Sequence, residues 1–197
     1  MIRSSFNKIN RAKRQAGFTL IEIIIALAVI GVAIAGMLYY QNRAEAGQKA
    51  NNSVSALTSM VGNIKSTFAP ANSFAGVTAG NLVSAGLVVE PFTGAGTAIT
   101  DPWGNAVVIG GAPGFFGIGV LAPNSEICMK IVTGLVRSAA RVTVHTAAPA
   151  FVATATTAET MLTTGTVVKT NAQGAFNAAN AATGCGDTAA HIGMVFR

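Results

Sequence analysis

The chain has 197 residues, 51% of them hydrophobic and only 10% charged, enough for one modest domain with an extension. Its net charge of +6 is concentrated at one end: Arg3, Lys8, Arg11, Lys13 and Arg14 lie within residues 1–17 with no acid, and the remainder holds eight Lys or Arg against seven Asp or Glu, a net of 8 − 7 = +1. A basic nucleic-acid-binding face on the domain is therefore not expected, a local cluster of cations being the alternative.

Behind the basic stretch, Leu20 to Tyr40 reads LIEIIIALAVIGVAIAGMLYY, 21 residues with one charge. At 1.5 Å per residue a helix of this length spans roughly 30 Å, the thickness of a bilayer core. Tyr39 and Tyr40 suit the far interface and Arg43 the water beyond it, while the basic tail should stay cytoplasmic and the C-terminal part cross to the outside. An ordinary secretory signal peptide, cleaved after Ala33-Ile34-Ala35, is the competing reading. Two features oppose it. Glu22 is costly inside a signal's apolar region, and the apolar run continues past the supposed cut through Met37 and Leu38.

Gly17-Phe18-Thr19-Leu20-Ile21-Glu22, after a short basic leader and before an apolar helix, resembles the class III signal of type IV prepilins and type II secretion pseudopilins. The resemblance implies that a membrane peptidase cuts between Gly17 and Phe18 and methylates the new amine of Phe18, leaving Glu22 as the fifth mature residue. A free α-amino group has a pKa of about 8 and is mostly cationic at neutral pH. Glu22 lies four residues, or roughly 6 Å, further along the helix. A lone carboxylate costs about 2.5–3.5 kcal/mol at mid-membrane, and less at this shallower depth. The amine of a neighbouring subunit would neutralise it and fix the stagger between helices, because misregister leaves two charges unpaired in an apolar fibre core. The alternative is a carboxylate that snorkels to the interface without a partner.

No proline occurs between residues 18 and 68. Val54, Leu57, Val61, Ile64 and Phe68 recur at helical steps, with Asn52, Ser59, Asn63 and Lys65 on the other side. The pattern predicts one helix over 18–68, about 77 Å long. Its first half is apolar all round and its second half needs a globular partner along one stripe. Gly31 and Gly36 are either close-approach points between helices or tolerated small residues.

Beyond the helix, residues 81–88 read as a short helix and Asp101-Pro102-Trp103-Gly104-Asn105 as a β-turn. Trp103 is either a lid on the local core or an interface anchor. Residues 106–111 and 114–122 read as two strands joined by a glycine-rich turn. Their glycines fit neither a phosphate-loop nor a dinucleotide pattern. Asn124-Ser125-Glu126 is a helix start, followed by a buried-face stripe of Cys128, Ile131, Val132, Leu135 and Val136. Residues 141–146 read as a strand, Thr166–Thr170 as a weaker one, Cys185 as a loop residue and 191–197 as a final strand. The two cysteines would pair in an oxidising compartment or stay as two buried thiols in a reducing one. A bridge would close a loop of about 57 residues, worth on the order of 4 kcal/mol by the chain-entropy model.

The order of elements is similar to that of type IVb pilins: long N-terminal helix, PFTG loop, strand pair, cysteine-bearing helix, and second cysteine before a terminal strand. The lack of proline near residue 39 agrees with that class, whereas the short leader and Phe18 are departures from it. DPWGN resembles a turn of major pseudopilins, which are usually shorter and lack the cysteine pair. The expected fold is therefore α+β, the type IV pilin fold. It comprises a half-transmembrane, half-packed helix on an antiparallel sheet, with a C-terminal region bounded by a Cys128–Cys185 disulfide. The expected divisions are a cleaved leader (1–17), a membrane and filament-core helix (18–42) and the rest of the helix with the globular domain (43–197). The implied function is structural: a pilin polymerised into an extracellular filament, with a secretion pseudopilin as the alternative. The implied partners are further copies of itself, the prepilin peptidase, the inner-membrane assembly machinery and, before assembly, the membrane itself, crossed once with the N-terminus inside. No cofactor, metal site or catalytic residue is expected. His145 and His191 lack metal spacing, and the seven acids are scattered singly.

Overall fold

The computed structural model describes residues 19–171, 173–186 and 188–197. The chain divides into two compact units, residues 1–43 and 44–197. Helix α1 (Leu20–Phe68) contributes to both. It stops where the sequence stops it. Pro70 disfavours helical geometry in the residue before it. Ala69–Ala71 forms a 3₁₀ turn, closed by Asn72 in the left-handed region at φ 49°.

In the second unit α1 buries Ala50, Ser53, Leu57, Met60 and Ile64. The expected stripe is present, but Val54 lies half-buried at its edge and Met60 joins its centre. Ser53 sits in this apolar row without cost because its Oγ donates to the Lys49 carbonyl at 2.8 Å. Helix α2 (Ala79–Ser84) begins earlier and ends earlier than expected: Thr78 caps it by accepting from the Asn81 amide, and Gly86 at φ 65° follows its end. Strands β1 (Thr93–Ala95) and β2 (Ala98–Thr100) form a hairpin where the sequence pattern predicts only turns. Next come β3 (Ala106–Ala112), β4 (Phe115–Ala122) and α3 (Ser125–Leu135), where Asn124 accepts from the Ile127 amide as N-cap. β5 (Arg141–His145), α4 (Ala158–Met161), β6 (Thr166–Lys169), α5 (Ala178–Gly184) and β7 (Ala190–Phe196) complete the chain.

Among the described residues seven strands form one sheet in the order β1-β2-β3-β4-β7-β5-β6, each neighbouring pair antiparallel. The last strand is therefore a central one: β7 enters between β4 and β5, with Met194 opposite Ile118 and Ile192 opposite Val144. Alternation along β4 explains how the sheet is used. Phe116, Ile118 and Val120 are buried in one core with Ile192, Met194 and Phe196 of β7, Leu57, Met60 and Ile64 of α1, and Ile131 and Leu135 of α3. Phe116 stacks on Phe196 with ring centroids 5.4 Å apart.

The intervening β4 positions are Gly117 and Gly119, joined by Gly110 of β3 and Gly193 of β7. A Cβ on Gly117 or Gly110 would lie 2.3 or 2.6 Å from Phe151, one on Gly119 2.5 Å from Pro149, and one on Gly193 2.7 Å from Leu162. Glycine is required at these positions so that the 149–162 segment can lie on the second face. Met161, Leu162, Ala155 and Ala158 there form a smaller core with Ala112, Ala140 and Val195. The fold is α+β and pilin-like, a long N-terminal helix with an antiparallel sheet, as the sequence implies.

The C-terminal region is held by one covalent bond and by buried cations. Cys128 of α3 and Cys185, the residue that ends α5, form a disulfide with Cα atoms 5.6 Å apart. Cys185 is thus a helix terminus rather than a free loop residue. Lys169 is buried, and its Nζ donates to the Val136 and Ala139 carbonyls at 2.7 and 2.8 Å, satisfying backbone acceptors at the end of α3. Burial pushes its pKa below the usual lysine value. Arg141 is also buried, its Nε donating to the Leu162 carbonyl at 2.9 Å.

Replacing Gly117 with Val should destabilise the full chain in detergent micelles by about 1–3 kcal/mol through overpacking against Phe151. Adding Phe151→Ala should recover part of that loss, so the two changes should be non-additive in urea denaturation followed by Trp103 fluorescence. Lys169→Met should lower stability by about 1–3 kcal/mol, because two buried carbonyls lose their donor.

Candidate functional site

In the N-terminal unit α1 shows apolar side chains on every side: Leu20 is 78% exposed, Leu27 62%, Val32 76% and Tyr40 74%. The β-branched and leucine side chains are compatible with a helix, and no glycine or proline pair interrupts it sharply. A Cβ added to Gly31 or Gly36 would meet nothing within 4 Å. This is the one candidate span, among the described residues, long and apolar enough to cross a membrane. An exposed apolar surface of this extent requires lipid or protein around it.

Glu22 lies in the first turn of this helix. Its amide donates to the Thr19 carbonyl at 3.0 Å, as does the Ile23 amide at 3.3 Å, so Thr19 is the residue just before the helix that accepts its first bonds. A carboxylate at this end is favoured by the helix dipole, which places partial positive charge on the first-turn amides. Its flanks are Ile21, Ile23, Ile24 and Ile25, which offer it no hydrogen bond. The arrangement thus presents one anionic group within an apolar surface, near the end where the chain would be cut. Gly17 and Phe18, the expected processing residues, lie outside the described residues.

The remaining expected site residues, Cys128 and Cys185, are joined in the disulfide between α3 and the end of α5. The structure also brings together two residues that the sequence pattern does not connect. His145 of β5 and His191 of β7 are directly opposite each other across the strand pair. Register alone creates that proximity, and neither the composition nor the local pattern around either histidine signals it. His145 Nε2 lies 2.6 Å from the Thr143 hydroxyl and its Nδ1 3.4 Å from that of Thr164. It borders an open cleft of about 350 Å³ lined by residues 144–148 and 164–166. Both ring nitrogens are engaged by hydroxyls rather than by a carboxylate, so the arrangement lacks the orienting acid of a catalytic triad. Among the described residues no group of three or more His, Cys, Asp or Glu side chains converges to hold a metal ion.

The turn at Asp101 is structural in its contacts. Asp101 is buried, and its Oδ1 accepts from the Trp103 amide at 2.9 Å and the Asn105 amide at 2.8 Å. Gly104 takes φ 87°, a conformation that glycine supplies. Trp103 is half-buried against the main core, which makes it a lid on that core.

Burial pushes the pKa of His145 down, and the nearby His191 and Arg141 push it further; burial also lowers that of His191. Acid should therefore weaken the fold. As pH falls through about 6.5 the unfolded chain takes up protons that the folded chain refuses, and stability drops until the folded histidines protonate as well. Melting temperatures measured between pH 7.5 and 5.5 should fall with pH, and the slope should flatten in a His145→Gln, His191→Gln variant.

Residues 12–38 match the model of the prokaryotic N-terminal methylation motif, a segment that contains Gly17, Phe18 and Glu22. No curated protein matches this chain. The motif points to a structural, pilin-like protein, anchored in the membrane by its apolar helix before assembly. The chain thus carries the N-terminal methylation signal of a type IV pilin-like prepilin.

Proposed function

We propose that this chain is a pilin, most like the type IVb pilins, whose copies polymerise into a helical extracellular filament. In this reading prepilin peptidase removes residues 1–17 on the cytoplasmic side and methylates the amine of Phe18. Residues 18–42 hold the subunit in the inner membrane, N-terminus inside, and then pass into the filament core. Residues 43–197 face outward. The observation that carries the reading is the position of Glu22, an acid in the first turn of a helix whose stretch from Leu20 to Tyr40 is otherwise apolar on all sides. In lipid or in a fibre core such an acid needs a cation, and processing would supply one four residues away on each neighbour. Subunits joined head-to-tail through such a contact need not close into a ring and so grow as a filament. The near-neutral charge of the chain beyond the leader keeps repulsion between neighbouring domains low.

A pseudopilin of a secretion apparatus is the second reading, favoured by the DPWGN turn. The Cys128–Cys185 bond and the length of the chain favour the pilin. Long surface fibres composed of this chain would decide between the two.

Mass spectrometry of the assembled protein should find methylated Phe18 at the N-terminus; a terminus at Gly36 would instead mean ordinary secretion. Glu22→Ala should leave cleavage after Gly17 intact while reducing fibre number at least about tenfold, because each contact between subunits then lacks its acid. Normal fibre numbers in that variant, seen by electron microscopy, would remove the basis of the reading.

A further inference from the structure

The chain leaves the sheet at His145, the end of β5, and re-enters it at Thr166, the start of β6. Residues 146–165 between them lie over the glycine face, and they are braced within themselves. The Val152 amide donates to the Met161 carbonyl at 3.0 Å, and Thr157 and Thr160 close a capping box at the start of α4. Phe151, Met161 and Leu162 belong to the smaller core, on the face of the sheet away from the main one. A loop with its own bracing and its own small core is a unit that can open while the rest of the fold stays closed.

His145 stands at the neck of this loop. Its ring fills the gap between the returning chain and β7: a Cβ on Gly165 would lie 2.6 Å from its Cε1, and one on Gly193 3.1 Å from its Nε2. Thr143 on its own strand and Thr164 on the loop's return meet its two nitrogens at 2.6 and 3.4 Å. The cleft lined by residues 144–148 and 164–166 brings water to the neck. The charged groups around the ring are cations or can become so. His191 is directly opposite on β7. Arg141 lies on the same face of β5, its guanidinium donating to the Leu162 and Thr170 carbonyls. β3, β4 and α5 carry no charged residue. Lys169 of β6 is turned toward the end of α3. The one acid of the loop, Glu159, is exposed on α4 and borders a different cleft together with Arg197.

We propose that His145 is a proton-operated catch for residues 146–165. With the ring neutral, its contacts and the Arg141–Leu162 hydrogen bond keep the loop on the glycine face. A proton on the ring makes it a cation among cations, and the loop lifts as a unit to admit water while the main core stays closed. The direction follows from linkage. Burial, then His191 and Arg141, hold the pKa of His145 below its ordinary value in the closed form. The open form binds the proton near the ordinary value of about 6.5, so acid favours it. Lifting uncovers Phe151, Met161 and Leu162, an apolar surface that neutral pH keeps covered. This inference stands apart from the filament reading, since every group in it belongs to residues 44–197.

The test uses the full chain in detergent micelles and hydrogen peroxide, which oxidises methionine where solvent reaches it. Met161 reports the loop, and Met60 and Met194, fully buried in the main core, report the rest. Between pH 7.5 and 5.5 the oxidation rate of Met161, read by peptide mass spectrometry, should rise several-fold, towards the limit of about tenfold for one histidine that titrates near about 6.5 when released. Met60 and Met194 should stay protected at both values. Thr164→Asp, at an exposed position beside Nδ1, supplies the missing carboxylate and should keep Met161 protected at pH 5.5. His145→Gln should remove the pH response, and His191→Gln should lessen it. An unchanged Met161 rate in acid would overturn the catch. So would oxidation of Met60 and Met194 in step with Met161, which would make the event an unfolding of the whole domain, or a Thr164→Asp or His145→Gln variant that keeps the full response.

Discussion

The alternation along β4 is the constraint on which the globular unit depends. Phe116, Ile118 and Val120 project into the core, and the residues between them are glycines. A strand with bulky side chains on both faces would hold its covering layers about 10 Å away on each side, the usual packing distance for sheets. Here the second face is stripped, so Phe151, Pro149 and Leu162 rest almost on the backbone. Glycine weakens a strand by the entropy it loses on folding. β7 offsets that weakness by pairing with β4 along its whole length, from Phe116↔Phe196 to Ala122↔Ala190. β7 thus completes the sheet, and the core is not closed without it.

The two units solve the problem of apolar surface differently. In residues 44–197 the helix hides one stripe against the sheet and keeps polar side chains such as Asn52, Ser59 and Asn63 outside. In the first unit there is no such division. Hydrophobic stabilisation there has to come from the surroundings, and lipid and neighbouring helices are the two environments that provide it. Glu22 gains nothing from either unless a cation accompanies it.

The buried cations follow a related logic. Lys169 and Arg141 direct their donors at backbone carbonyls, at the end of α3 and around residue 162 respectively. These are acceptors that neither helix nor sheet satisfies, and an unpaired carbonyl there would cost more than the burial of a well-bonded lysine stem. The low charge of the domain therefore does not mean that its charges are incidental. Several of them are structural, and the surface is left with few.

Local pattern determined much of this protein. The proline-free run ending before Pro70, the stripe from Leu57 to Ile64, the Asn124 cap with the Cys128 face behind it, and strands β3, β4, β5 and β7 are all legible, because each depends on neighbours within one or two turns. So is the signal around Gly17, Phe18 and Glu22, a contiguous motif. What the sequence concealed has a common origin. The β1–β2 hairpin has strands of three residues, too short to establish a period. α4 and α5 lie in a stretch of Ala and Thr with little hydrophobic contrast, and are held by Thr157, Asn177 and the disulfide rather than by propensity. The Lys169 cap, the His145–His191 pairing and the bare glycine face depend on strand order and register, which are set by contacts between residues far apart in the chain. Sequence periodicity reports which face of an element is buried; only the tertiary structure decides what that face meets.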